Sequence, residues 1–236
     1  HKTQNFNINV VETTSSMLLF SLIGLCVPAF FTHTINANLL NTRYEGLSLV
    51  VAIVMFILYI LSLIFSFFTH KDLYATTTEE EGHESKWSLK KSIAILIIAT
   101  VIIAIESEFL VGGIEDITSK LGLSEFFVGI ILIPIIGNAA EHSTAITMAL
   151  KNKMDVAIEI ALGSSLQIIL FVAPVLIFLS LLFTPMSIIF NPFELVSLIA
   201  SVIIANKVAS DGQSNWLEGA QLMAVYFIIA AGFFIL

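Results

Sequence analysis

Two short polar insertions interrupt apolar segments between Pro134 and Ile168, and they carry the side chains best suited to chemistry. The first insertion runs from Gly137 to His142 (GNAAEH) and the second from Gly163 to Gln167 (GSSLQ). A polar turn from Lys151 to Asp155 separates the two apolar segments. Because a carboxylate, an amide and an imidazole are costly to bury at membrane depth, these insertions predict a functional site.

The spacing within each insertion predicts that its polar groups share one helical face. Asn138, Glu141 and His142 are at i, i+3 and i+4, and Ser164 and Gln167 are at i and i+3. Hard oxygen ligands of this kind suit Ca²⁺, which takes about 6–8 oxygens. A transition metal fits less well, since there is no thiolate and only one nearby imidazole. We therefore predict Glu141, Asn138 and Gln167 as ligands of the metal.

A break in the first helix is expected to add backbone ligands. Pro134 lacks an N–H group and Gly137 loosens the next turn, so backbone carbonyl oxygens become free to bind a cation. Alternatively, Ser164 and Ser165 could serve as small residues that let two helices pack closely. His142 could alternatively form hydrogen bonds to its neighbours. All four of Gly137, His142, Ser164 and Ser165 are kept as candidate cation- or proton-binding residues.

The composition predicts an all-α polytopic membrane protein. Of 236 residues, 57% are hydrophobic and only 12% are charged, whereas soluble domains average about 25% charged residues. A helical span needs about 20 mostly apolar residues, and seven segments meet this requirement. They cover roughly 12–35, 46–69, 89–112, 124–149, 156–182, 190–209 and 216–236. The net charge of −8 gives no indication of a nucleic-acid partner, and the lipid bilayer is the expected environment.

Short polar segments join the predicted spans, and their Lys and Arg residues predict the orientation. The first ten residues form a polar lead-in, 35–45 and 114–124 are short loops, 210–215 is a turn, and 70–88 is a longer acidic loop. Eight basic residues fall on the side of the acidic loop: Lys2, Lys71, Lys86, Lys90, Lys91, Lys151, Lys153 and Lys207. Only Arg43 and Lys120 fall on the other side. The positive-inside rule makes the first side cytoplasmic and places the C-terminus outside.

Six glutamates lie within the predicted spans or at their edges: Glu106, Glu108, Glu141, Glu159, Glu194 and Glu218. No Lys or Arg is expected at comparable depth. An unpaired carboxylate in a low dielectric either takes up a proton or holds a cation, and a site that alternates between the two is what a cation/proton antiporter requires.

These glutamates are not equivalent, and interfacial solvation is the alternative reading for most of them. It is the preferred interpretation for Glu194, Glu218 and Glu159. For Glu106 and Glu108 the alternative is solvation from an outer vestibule, and Glu108 is retained as a site residue. Glu141 lies mid-span among polar neighbours and is the main candidate.

The motifs resemble a known family. GNAAEH at 137–142 and GSSLQI at 163–168 resemble the second α-repeat of the calcium/proton exchanger (CAX) family, within the cation/Ca²⁺ exchanger superfamily. EFLV at 108–111, KMD at 153–155 and SNWLEG at 214–219 are also similar to that family. The short loops favour the bacterial branch, and hence a bacterial cell membrane.

The resemblance implies an antiporter of eleven spans, built from two inverted repeats around an acidic linker, that exports Ca²⁺ in exchange for protons. It implies that residues 1–69 complete the first half, that 70–88 are the linker, and that 89–236 are the second repeat of five spans. Ca²⁺ would be the substrate, with no cofactor.

The resemblance also assigns roles within the second repeat. Glu141 would be the second-repeat carboxylate, Asn138, Gln167 and Ser164 or Ser165 would line the site, and Glu108 would be an acidic residue of the cavity. No second GN-x-x-E motif occurs in the sequence. The first repeat is therefore expected upstream, as the missing N-terminal half of the same protein, and a homo-oligomer is left open.

Other classes of function are weighed against this one. A Na⁺/Ca²⁺ exchanger or a cation channel would use the same carboxylates. An intramembrane enzyme is disfavoured, because there is no HExxH motif and adjacent Ser143 and His142 cannot face each other on a helix. A retinal protein would need a lysine in its last span, and 216–236 contains none. The sequence thus predicts a secondary transporter and not an enzyme.

Overall fold

Helices make up nearly all of the chain that the computed structural model describes, namely residues 2–34, 45–74, 87–186 and 188–235. The α-helices are α1 (Ile8–Thr34), α2 (Glu45–Ile64), α3 (Lys71–Tyr74), α4 (Leu89–Leu121), α5 (Glu125–Phe127), α6 (Ile133–Gly137), α7 (Ala139–Leu150), α8 (Met154–Gln167), α9 (Ala173–Ser180), α10 (Pro192–Val208) and α11 (Trp216–Ile235). Short π-helical segments, Phe65–Thr69, Val128–Leu132 and Ile168–Val172, follow α2, α5 and α8. The predicted all-α membrane class is confirmed.

Six of the described helical segments are long and apolar enough to cross a membrane, and a seventh results if the two segments on either side of Asn138 count as one span. The six are Ile8–Phe31, Gly46–Thr69, Leu89–Ile114, Met154–Ser180, Pro192–Asp211 and Trp216–Ile235. The count agrees with the seven predicted spans. Most of the acidic loop, residues 75–86, lies outside the described residues, as do residues 35–44.

The third span is longer than predicted, and the predicted loop at 114–124 is wrong over most of its length. α4 continues to Leu121 and ends at Gly122, whose φ of 64° is left-handed. Glycine adopts this conformation without a steric penalty and commonly terminates helices. The change from apolar to polar residues after Gly113 therefore marks where the helix leaves the apolar region, and Gly122 marks where it ends.

The described residues form two compact units. The first combines the chain up to residue 75 with residues 139–227, and the second combines 76–138 with 228–236. In the first unit α1 packs against α2, α8 and α10, and α2 packs against α9. Its main buried cluster contains Leu18, Leu25, Ala52, Met55, Leu166, Leu170, Ile177, Ile188 and Val202. Gly24 allows α2 to approach closely, since a Cβ atom there would lie 2.7 Å from Met55 Cε.

Two of the π-helical segments come directly before a proline-containing helix. Pro134 and Pro174 are near the starts of α6 and α9, just after Val128–Leu132 and Ile168–Val172. Proline cannot donate to the carbonyl four residues earlier. The wider π turns leave room for the carbonyl that has lost its N–H donor, so the chain stays helical there. The irregularity predicted at Pro134 therefore begins one turn earlier, in Val128–Leu132.

A small polar assembly closes one end of the first unit. Strand β1 (Thr3–Asn5) pairs antiparallel with β2 (Gln213–Asn215), and the Phe6 N–H donates to the Gly212 carbonyl at 3.0 Å. Asn7 donates its backbone N–H to Asp155 and its side-chain amide to the Leu73 carbonyl. The chain start, residue 73, the α7–α8 turn and the α10–α11 turn therefore meet at one end. The prediction of a plain turn at 210–215 missed strand β2, because three polar residues carry no alternating pattern that marks a strand.

The second unit contains α4 to α6 and the end of α11. The Ser124 hydroxyl donates to the Phe233 carbonyl at 3.4 Å, and the rings of Phe127 and Phe234 meet edge to face at 5.3 Å. Glu106 and Glu108 lie on α4 and are exposed.

Candidate cation site

Helices α7 and α8 form a hairpin that carries the candidate site. The turn between them is tight: Asn152 has a φ of 59°, and the Lys153 N–H donates to the Met148 carbonyl at 2.9 Å. Between the two helices lies an open cavity of about 380 Å³. It is lined by Ala140, Glu141, Thr144, Glu159, Ile160, Ser164 and Gln167. Residues of both polar insertions of the sequence thus line one cavity.

The local sequence around Glu141 recurs at two other helix starts, where it has a structural role. Asn191 and Glu194 form a capping box at the start of α10, with reciprocal bonds of 2.8 and 2.9 Å. Asn215 and Glu218 make the same pair of bonds at α11, at 3.0 and 3.2 Å. The N-x-x-E spacing produces such boxes because two unpaired helix N–H groups are satisfied reciprocally. Glu194 and Glu218 therefore cap helices, a structural role that was not part of the interfacial solvation predicted for them.

Glu141 has the same spacing after Asn138 but is not used as a cap. The Asn138 N–H donates to the Pro134 carbonyl at 3.0 Å, so it is not available to a capping carboxylate. Within the residues that the structure describes, no group hydrogen-bonds or ion-pairs with the Glu141 side chain. Glu141 also lies in the first turn of α7. Its carboxylate is consequently free to bind an ion from the cavity.

The hydroxyl groups of the cavity wall are oriented as acceptors. Thr144 donates its hydroxyl proton to the Ala140 carbonyl at 2.8 Å, and Ser164 donates to the Ala161 carbonyl at 3.4 Å. A hydroxyl whose proton is engaged by the backbone still has its lone pairs. These oxygens, with the Glu141 carboxylate and the Gln167 amide, form a set of hard ligands suited to Ca²⁺.

Only part of the predicted residue set lines this cavity. Glu141, Ser164 and Gln167 do so. Ser165 and His142 are not in the lining, and the Ser165 hydroxyl donates to the Ala161 carbonyl at 3.0 Å on the exposed side of α8.

The remaining three predicted residues, Gly137, Asn138 and Glu108, belong to the second compact unit. Gly137 ends α6, and Asn138 follows it with φ −98° and ψ 12°, which is the backbone break predicted from Pro134 and Gly137.

Glu159 and Thr144 line the cavity although neither is among the predicted site residues. Glu159 was assigned to the membrane interface because it follows the turn by only a few residues. The available signal was helical spacing, since Glu159, Gly163 and Gln167 are at i, i+4 and i+8 and share a face of α8.

The carboxylates of the cavity do not make a complete metal centre by themselves. Among the described residues there is no group of three or more His, Cys, Asp or Glu side chains that could hold a metal ion. The cavity offers two carboxylates and several neutral oxygens. Such a set suits a cation that binds reversibly and takes its remaining oxygen ligands from outside this cavity.

The fold and this carboxylate-lined cavity define a polytopic helical membrane protein with a candidate cation site, and comparison with known proteins defines the family. Residues 91–235 match the family model described as sodium/calcium exchanger protein. The chain is 44% identical over 243 residues to the Ca(2+)/H(+) antiporter ChaA of Bacillus subtilis, covering 100% of this chain and 68% of that protein. It is 42% identical over 249 residues to the Ca(2+)/H(+) antiporter of Aphanothece halophytica, covering 99% and 66%.

Comparison with a solved structure supports the same family. The structure of native YfkE aligns with a TM-score of 0.80 and 38% sequence identity, over 99% of this chain and 66% of that one. The chain therefore belongs to the sodium/calcium exchanger protein family and, within it, to the bacterial branch of the calcium/proton exchanger (CAX) family. The resemblance seen in the motifs is confirmed. The chain spans about two thirds of the length of these relatives.

Proposed function

We propose that this protein is a Ca²⁺/H⁺ antiporter that exports Ca²⁺ from the cytosol in exchange for protons. The observation that carries the proposal is the Glu141 carboxylate, which has no partner among the described residues and faces a cavity with a second carboxylate and no cationic side chain. The relatives named as Ca²⁺/H⁺ antiporters support the choice of ions. A Na⁺/Ca²⁺ exchanger and a channel are the less favoured alternatives.

The chemistry follows from competition for the same oxygens. Ca²⁺ requires ionised carboxylates, so a proton and a calcium ion exclude each other at Glu141. Binding of Ca²⁺ from one side and of protons from the other, with alternating exposure of the site, gives exchange. Glu141 is the exchanging group, and Gln167, Ser164 and Thr144 supply neutral oxygens from the cavity wall.

The other predicted residues complete this proposal in secondary roles. Carbonyl oxygens near Gly137 and the Asn138 amide are proposed as further cation ligands. Glu108 is proposed as an acidic residue on the ion path. Ser165 and His142 lie outside the cavity lining, so we propose roles for them only in a different conformation of the hairpin.

The rest of the Ca²⁺ shell is proposed to come from a first repeat. Ca²⁺ takes about 6–8 oxygens, several of them charged, and the α7–α8 cavity is open and lined by only two carboxylates. We propose that 89–236 is the second repeat, that 1–69 completes the first half, and that 70–88 is an acidic cytoplasmic linker. An upstream half would then supply a second glutamate opposite Glu141.

The proposed orientation places the α7–α8 turn in the cytoplasm. Support comes from the Lys and Arg pattern and from the contacts of Asn7 with Asp155 and Leu73, which put segments assigned to the same side at one end of the first unit. Labelling a single cysteine tests this, after Cys26→Ser removes the native thiol. Ser210→Cys should react with an impermeant reagent only from the cytoplasmic side, and Phe183→Cys only from outside.

The antiport itself is tested by ion coupling in everted membrane vesicles that contain the full-length protein. Addition of Ca²⁺ to acid-loaded vesicles should release protons from the lumen, in the absence of Na⁺ and of any other transported cation. Ca²⁺ uptake that is driven by a Na⁺ gradient and not by a proton gradient would instead support a Na⁺/Ca²⁺ exchanger. Uptake that dissipates a Ca²⁺ gradient without moving protons would support a channel.

A further inference from the structure

Glu159 and Glu141 lie at different distances from the α7–α8 turn. Glu159 follows Asn152 by seven residues, and Glu141 precedes Asn152 by eleven. With a rise of 1.5 Å per residue, these side chains lie about 10 Å and about 16 Å from the turn. Gln167, fifteen residues after Asn152, lies deeper still, at about 22 Å. The cavity wall therefore presents a carboxylate near the turn, a second one deeper, and an amide beyond it.

The charges around the turn decide which of these side chains a cation meets first. Lys151 and Lys153 are exposed at the turn itself and repel Ca²⁺ there. Glu159 is half-buried and lies about two helical turns inward, and Thr144 adds a neutral oxygen to the same cavity lining. A cleft lined by one sign of charge raises the local concentration of counter-ions. Asp155 is nearer the turn but accepts the Asn7 N–H and is not part of the cavity lining. Glu159 is therefore the first carboxylate of the lining that Ca²⁺ would meet from the hairpin side.

We propose that Glu159 is a second cation-binding carboxylate of the cavity, which receives Ca²⁺ from the hairpin side before the ion reaches Glu141. The inference rests on the proposed Ca²⁺/H⁺ antiport. It assigns the two glutamates different tasks: Glu159 sets how readily Ca²⁺ is captured, and Glu141 exchanges Ca²⁺ for protons. Loss of Glu159 should therefore affect the half-saturating Ca²⁺ concentration, and loss of Glu141 should affect transport at every concentration.

The test is the Ca²⁺ dependence of proton release in everted vesicles that contain the full-length protein, where the hairpin side faces the added Ca²⁺. Glu159→Gln is expected to raise the half-saturating Ca²⁺ concentration about tenfold, with a maximal rate within about twofold of the wild type at saturation. Glu12→Gln is the matched control, because Glu12 is an exposed carboxylate on α1 outside the cavity lining. It should leave the half-saturating concentration unchanged.

Several outcomes would overturn the inference. A half-saturating concentration for Glu159→Gln equal to that of the wild type and of Glu12→Gln would mean that Glu159 is merely solvated. A lower maximal rate without a shift in half-saturation would mean a structural role. If Glu159→Gln does not reach the membrane, Glu159→Asn provides the same test with the same expected shift.

The failure of this inference is distinguishable from failure of the antiport function. Wild-type vesicles that move no protons on Ca²⁺ addition would contradict both. Active wild-type vesicles, with Glu141→Gln inactive and Glu159→Gln unchanged, would contradict the role of Glu159 alone.

Discussion

Replacement of Glu141 by glutamine isolates the charge of this side chain from its shape. Glutamine has nearly the same volume and keeps one oxygen ligand, but it can neither ionise nor carry a proton away. Because no described residue hydrogen-bonds or ion-pairs with the Glu141 carboxylate, the substitution breaks no polar interaction that holds the fold together. The expected result is a folded protein that has lost Ca²⁺/H⁺ exchange.

The size of the effect follows from the charges of the cavity. Its lining contains two carboxylates, so Glu141→Gln removes half of the formal negative charge. Truncating one partner of a close charge pair costs about 2–5 kcal/mol, and about 3 kcal/mol corresponds to a roughly 100-fold weaker affinity. The proton-coupled rate should fall further, to background, because the exchangeable proton site is lost as well.

Equilibrium binding of ⁴⁵Ca²⁺ to the purified full-length protein measures the first effect, and proton release from everted vesicles measures the second. Glu218→Gln is the matched control, since it makes the same chemical change at the same position of an N-x-x-E sequence. Glu218 caps α11 and lies outside the cavity lining, so its loss should lower stability and leave Ca²⁺ binding intact. Wild-type binding and exchange by Glu141→Gln would refute the reasoning.

Three further predictions concern protons, caps and the core. Apparent Ca²⁺ affinity should fall between about pH 8 and about pH 6, because protons compete for the carboxylates that bind Ca²⁺; a flat profile in ⁴⁵Ca²⁺ binding would contradict proton coupling. Asn215→Ala should destabilise α11 by about 1 kcal/mol, because the side chain accepts from two backbone N–H groups; an unchanged melting temperature in detergent would show that this cap contributes nothing. Leu170→Ala should cost about 2–5 kcal/mol, since Leu170 is fully buried, whereas Leu182→Ala at a 75% exposed position should cost little. Equal melting temperatures for the two leucine variants would contradict the described core.

The spans and the pairing of the two polar insertions could be predicted because each rests on a strong local signal. Runs of about 20 apolar residues have few alternatives to a transmembrane helix. The turn from Lys151 to Asp155 is short, so the insertions on either side had to be neighbours. Helical spacing then brought Glu141, Ser164 and Gln167 to one cavity, as the structure shows.

Other features were not predictable by the same reasoning, because tertiary contacts or backbone conformation decide them. The end of α4 depends on the left-handed conformation of Gly122 and not on polarity. The β1–β2 ribbon forms between segments about 200 residues apart, and neither carries a strand pattern. Glu159 was judged by its distance from the turn alone, although its helical face is the one that carries Gln167.

The N-x-x-E sequences show where a motif requires structural context. The copies that begin at Asn138, Asn191 and Asn215 look alike in the sequence. In the last two the glutamate accepts from the N–H of the asparagine and caps a helix. In the first, Pro134 accepts that N–H instead, so the glutamate is left free. The preceding helix α6, which takes up the Asn138 N–H, therefore changes a capping motif into a candidate ion-binding one.

The most direct test of the proposed cation site is to locate the ion. Crystals of the full-length protein grown with Ca²⁺ should show an anomalous peak in the α7–α8 cavity, with a Glu141 carboxylate oxygen at about 2.3–2.6 Å from the ion. The peak should be absent from crystals of Glu141→Gln grown at the same Ca²⁺ concentration. A calcium ion bound elsewhere while this cavity stays empty, or an undiminished peak in the Glu141→Gln crystals, would contradict the assignment of the site.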